Sequence, residues 1–100
     1  MSGESLRIHP AAVEEAEAAV DWYAQRSRRA AGMFLDELDR AVDLISQNPE
    51  HYPRHDFDTR RIVLRRFPFV IIFRKAVAGV EIIAIAHGRR RPGYWRERPG

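Results

Sequence analysis

Near the C-terminal end of the chain, His87 is followed by Arg89, Arg90 and Arg91. A Pro92-Gly93 turn then leads into Tyr94-Trp95. These residue types handle phosphates and bases. Imidazole and phenol can move a proton, arginine forks bind phosphate oxygens in pairs, and aromatic rings stack on bases. Together they would suit RNA cleavage, with His87 or Tyr94 moving the 2′-hydroxyl proton and the arginines holding the phosphate. Each residue also has a plainer use. His87 ends an apolar run, so it can hydrogen-bond backbone at a sheet edge. Tyr94 and Trp95 can pack as anchors of a tail. Arg90 can pair with a helix carboxylate.

Other catalytic templates are missing from the sequence. It has no Gly-rich phosphate loop, no cysteine and no Gly-x-Ser-x-Gly elbow. His51, His55, Asp56 and Asp58 crowd one stretch, but their spacing is not that of a metal site. Neither a metal nor another cofactor is expected.

Charge divides the chain. Residues 1–58 hold 6 Lys/Arg against 12 Asp/Glu, and residues 59–100 hold 11 against 2. An acidic half and a basic half give a dipolar surface, and the basic half suits nucleic acid or an acidic protein partner. Arg60, Arg61 and Arg65 join Arg89, Arg90, Arg91 and Trp95 as candidates for binding such a target.

The elements that position these residues follow from hydrophobic period. Residues 5–9 alternate like a half-buried strand. Pro10 suits a first helical turn. Val13, Ala16, Val20 and Tyr23 then recur at three- and four-residue steps, with Glu14, Glu15, Glu17 and Asp21 expected to face away. Phe34, Leu38, Ala41 and Ile45 form a second stripe, broadened by Leu35 and Val42, with Glu37 among the solvent-side acids. Asn48-Pro49 stops that helix. The spacing predicts a helical hairpin over 11–47, a loop over 48–59, and strands at 60–66, 69–74 and 80–87, with a tail over 88–100. The last two strands are apolar on both faces, so both faces of the sheet need cover. The hairpin supplies one, and the Tyr94-Trp95 tail or a partner chain supplies the other.

One hundred residues predict a single domain, 1–100. The lack of cysteine, of a membrane-length apolar run and of signal-peptide features at the N-terminus predicts a soluble cytoplasmic protein with no membrane partner.

The order of elements, with "Ile-Ser-Gln-Asn-Pro", "Arg-Arg-Ile-Val-Leu-Arg-Arg-Phe-Pro-Phe-Val-Ile-Ile-Phe-Arg" and "Ile-Ala-Ile-Ala-His-Gly-Arg-Arg-Arg-Pro-Gly-Tyr-Trp", resembles the RelE/ParE toxin family of bacterial type II toxin–antitoxin systems. The resemblance runs from about Leu6 to Arg98. It implies an α+β fold, with an N-terminal strand, a helical hairpin on an antiparallel sheet of three to four strands, and a basic tail. It also implies a cognate antitoxin that wraps and neutralises the toxin in a hetero-oligomer.

The family's branches differ in target. RelE-like members cleave mRNA on the ribosome, which would give Tyr94, Arg90 (or Arg89) and His87 catalytic roles. ParE-like members bind DNA gyrase. The third-strand arginine of RelE-like members falls near Val70 here, and Arg60 and Arg61 are the nearest stand-ins for their Lys-rich patch. "Phe-Pro-Phe-Val-Ile-Ile-Phe-Arg" and "His-Gly-Arg-Arg" look more like ParE, so a gyrase-binding toxin is the expectation and a ribosome-dependent mRNA endonuclease the alternative.

Overall fold

A computed structural model describes residues 5–99. What the sequence suggested for residues 1–4 and for Gly100 lies outside the described residues.

The chain runs β1 (Leu6–Ile8), α1 (Pro10–Ala24), α2 (Arg28–Gln47), β2 (Arg54–His55), β3 (Thr59–Val63), β4 (Phe69–Ala76) and β5 (Gly79–His87). Both helices start where capping chemistry allows. The His9 Nδ1 accepts from the Ala11 amide at 3.0 Å ahead of Pro10, and the Ser27 hydroxyl accepts from the Ala30 amide at 3.1 Å. Asn48 ends α2, and Pro49 forbids its continuation.

The sheet has five strands in the order β1-β5-β4-β3-β2. β3, β4 and β5 form the expected antiparallel meander, whereas β1 runs parallel to β5. The extra strand is β2, a two-residue piece of the predicted loop. It pairs Arg54 with Arg60 and His55 with Thr59, too short a match to leave a period. β3 stops at Val63 rather than residue 66, because the Glu37 carboxylate takes the Arg65 and Arg66 amides at 2.8 and 3.1 Å. Glu37 is therefore an anchor for this turn and not simply a solvent-side acid.

The helical hairpin covers one face of the sheet. Phe34, Leu38 and Ile45 of α2 pack with Ile71, Phe73, Ile82 and Ile85 of the sheet. Leu35 and Val13, placed on or near the stripes by sequence, are exposed. The opposite face is covered by the tail: Trp95 is 3% exposed and packs with Ile72, Ile83 and Ala84, with Val70 and Tyr94 beside them. Burying such side chains supplies roughly 1.5–3 kcal/mol each.

A β-bulge in β5 shapes this second face. Ile72 pairs with Ala84 but Phe73 pairs with Ile82, so Ile83 is the extra residue. Ile83 and Ala84 consequently both face the tail, while Ile82 and Ile85 face the helices. That is why the strand's sequence shows no alternation.

Candidate functional site

β1 ends at Ile8, opposite Ile82, so β5 continues past it with one edge that no strand among the described residues pairs. Side chains meet that edge instead. The Glu15 Oε1 accepts from the Ile85 amide at 2.8 Å, and the Arg98 Nη1 donates to the Ile83 carbonyl at 2.8 Å. The two side chains also bind one another, with Arg98 Nη1 and Nη2 reaching the Glu15 oxygens at 3.1 and 2.9 Å. The Tyr94 hydroxyl donates to Glu15 Oε2 at 2.5 Å. An acid on α1 thus gathers a strand amide, a tail arginine and a tail tyrosine.

Glu15 was expected to face solvent, but it turns inward. It lies three residues after Ala12 and four before Ala19, both buried, so it shares the core-facing stripe of α1. That spacing is the signal from which it could have been found. Arg98, and not Arg90, is the cation paired with a helix carboxylate.

The electrostatics follow from this geometry. Burial alone would raise the Glu15 carboxyl, but hydrogen bonds from Arg98, Tyr94 and the Ile85 amide, with the Arg98 charge, outweigh it and hold it below its ordinary value. Tyr94 is pushed well above the usual phenol range, first by burial and then by donation to Glu15. Such a phenol stays protonated and donates, so it is poorly disposed to act as a base.

The other candidates are dispersed. His87 is half-buried against Phe69, with ring centroids 5.2 Å apart, and its Nδ1 accepts from the Arg89 amide at 3.0 Å. Arg90 stacks over the Tyr94 ring at 3.8 Å, while Arg89 and Arg91 are exposed. Arg60 is drawn into a structural task, because its guanidinium donates to the Tyr52 carbonyl. Arg61 is exposed in β3, paired with Ile72 in register. Arg65 is exposed in the β3–β4 turn. This turn meets the one after β5 where the Gly88 amide donates to the Pro68 carbonyl at 2.7 Å, so the sheet gathers Arg65, Arg66 and Arg89–Arg91 at one end. Among the described residues none of these five guanidinium groups makes an ion pair.

Trp95 is a packing anchor. Its ring sits 5.9 Å from Phe57 and 6.2 Å from His55, centroid to centroid. Phe57 reaches it through a left-handed backbone (φ 61°), an uncommon conformation for a bulky residue. Gly93 allows the approach. Its own φ is +79°, and a Cβ there would lie 3.0 Å from the Phe57 ring. Among the described residues no group of three or more His, Cys, Asp or Glu side chains comes together as a metal site.

The model of the family described as the ParE toxin of the type II toxin–antitoxin system, parDE, matches residues 6–92. The chain belongs to the ParE toxin family. Membership implies an antitoxin partner. No curated protein matches the sequence. A solved structure titled "Chromosomal ParDE TA system from P. aeruginosa" is similar in fold, with a TM-score of 0.74 and 22% identity over 84% of this chain and 95% of the other. The ParE family's match ends at residue 92, whereas Tyr94 and Arg98, which bind Glu15, and the anchor Trp95 lie beyond it.

Proposed function

We propose that this ParE-family toxin arrests growth in the cytoplasm by binding DNA gyrase, and that a cognate antitoxin neutralises it in a hetero-oligomer. The observation that carries this reading is the position of Tyr94. A ribonuclease of the RelE-like kind would need that hydroxyl beside a scissile phosphate. Here it is half-buried and donates to Glu15. Val70, where such an enzyme would place an arginine, packs against the Trp95 cluster. The exposed cations Arg61, Arg65, Arg89, Arg90 and Arg91 then serve as a binding surface for the target, and Trp95 holds the tail in place.

The test is expression without antitoxin. The DNA-damage response should rise and covalent gyrase–DNA complexes should accumulate, while mRNA in translation extracts stays intact. Ribosome-dependent mRNA cleavage without either DNA signal would overturn the proposal.

A further inference from the structure

The end of the sheet opposite the arginine cluster has a recess of its own. The β3–β4 register ends at Arg60 and Phe73, and β4 runs on to Ala76. A recess of about 420 Å³ fills that corner, closed by the Pro49–Glu50 turn and by residues 58–60. Small-molecule sites occupy roughly 300–1,000 Å³, so the recess is of a size to hold one. Pro49, Phe73 and Val80 give it an apolar floor. Arg60 is paired in register with Phe73, whose ring packs in the helix-side core, so its side chain projects away from the Trp95 face.

The charge of this recess is unbalanced. Arg54, Arg60, Arg74 and Lys75 line it against the acids Glu50 and Asp58. Arg74 is paired with Glu81 and Lys75 with Glu50, each at 3.0 Å. Arg54 and Arg60 stand directly opposite one another across β2 and β3. Among the described residues neither has a carboxylate within ion-pair distance. Like charges so placed weaken strand pairing, and an anion between them would relieve the cost. Arg60 is already oriented, since its Nη1 donates to the Tyr52 carbonyl and reaches the Glu50 carbonyl at 3.5 Å. The Glu50 carboxyl is held below its ordinary value, first by Lys75 and further by the charges of Arg60 and Arg54. Asp58 makes no ion pair among the described residues and has a left-handed backbone (φ 58°). Its carboxylate accepts from a hydroxyl and repels a bare phosphate.

We infer that this recess binds a small phosphomonoester of a hydroxylated ring, a sugar phosphate or a nucleotide, with its phosphate between Arg54 and Arg60 and a ring hydroxyl donating to Asp58. Guanidinium forks match phosphate oxygens in pairs, and the acid selects a ligand that also carries a donor. A long polyanion is the less suitable occupant, because Glu50 and Asp58 stand among the cations. The inference does not rest on the gyrase-binding reading, whose clustered cations Arg65 and Arg89–Arg91 lie at the other end of the sheet.

The experiment is an amide NMR titration of the purified chain at constant ionic strength. The probes are ribose 5-phosphate, adenosine monophosphate, ribose and inorganic phosphate, each added alone. The two monoesters should shift the amides of Thr59, Arg60 and Lys75 saturably, and ribose should not. Inorganic phosphate should bind about tenfold or more weaker than the monoesters. Arg54→Glu, at an exposed position, should weaken monoester binding about tenfold or more. Asp58→Asn, which tolerates the left-handed backbone, should weaken the monoesters and tighten inorganic phosphate, each by roughly threefold. Arg91→Glu makes the same charge change at the far end of the sheet and should alter binding by less than about threefold. Circular dichroism confirms that the variants fold. Tighter binding of adenosine monophosphate than of ribose 5-phosphate supports the inference with a nucleotide as ligand, and the reverse order supports it with a sugar phosphate. The inference is overturned if neither monoester shifts those amides, or if Arg54→Glu and Arg91→Glu weaken binding equally. It is overturned as well if inorganic phosphate binds as tightly as the monoesters.

Discussion

The residue on which the tail depends is Glu15, and its bonds make its titration visible. Its carboxyl is held low, so its stabilising effect is present above the ordinary Glu range near 4.3 and is lost as pH falls through the lower folded value. Tyr94 is shifted the other way. Its neutral form is favoured in the folded chain, so its contribution is present below about pH 10 and lost as pH rises beyond that. The tail should hold best between these limits. In a Trp22→Phe background, where Trp95 is the remaining tryptophan, emission should shift to the red on acidification below about pH 4. Glu15→Gln should abolish that acid transition. Tyr94→Phe removes one hydrogen bond and should destabilise by about 1 kcal/mol in urea melts, with toxicity retained if the hydroxyl is structural. Toxicity lost in Tyr94→Phe with the fold intact would instead favour a chemical role.

At the scale of elements, Gly79 decides whether β1 can join the sheet. Its φ is +141°, and a Cβ there would fall 2.0 Å from the Ser5 carbonyl oxygen, the acceptor of the Val80 amide. Gly79→Ala should therefore unpair β1 and raise amide exchange at Val80 and His9 by an order of magnitude or more. Unchanged exchange there would contradict the argument. The helices and meander were legible because period 3.6 and runs of β-branched residues survive in the sequence from Ala12 to Ile45 and from Phe69 to Ala86. β2 was illegible because two residues carry no period. The β5 bulge was hidden because every residue from Ile82 to Ala86 is apolar, which conceals the switch of face. Of the candidate site, the tail's aromatic anchor and the arginine cluster could be read. The acid that organises them could not, because Glu15 sits among surface glutamates and its partners are 70 to 83 residues away.

For the whole molecule, the tail is the second layer of the fold. A chain ending at Gly88 would uncover Ile72, Ile83 and Ala84 together with the edge of β5. It should bind a dye for exposed apolar surface, and aggregate, at concentrations where the unshortened chain does neither. Trp95→Ala is the gentler version and should cost about 3–5 kcal/mol, read as a lower urea midpoint. The helical half of the sequence is acidic and the sheet-and-tail half is basic. Association with an acidic partner should accordingly slow as salt rises, while the apolar part of the contact is affected less.

The bonds of Glu15 join the first helix to the tail, with Glu15 separated from Tyr94 by 79 residues and from Arg98 by 83. During synthesis Glu15 emerges well before Tyr94 and Arg98. While they are still inside the ribosome, the emerged sheet has one dry face and one wet one, and the edge of β5 has no caps. In that interval the uncovered face is open to whatever protein is already waiting near the ribosome, so the order of synthesis of toxin and neutralising partner bears on folding as well as on dose.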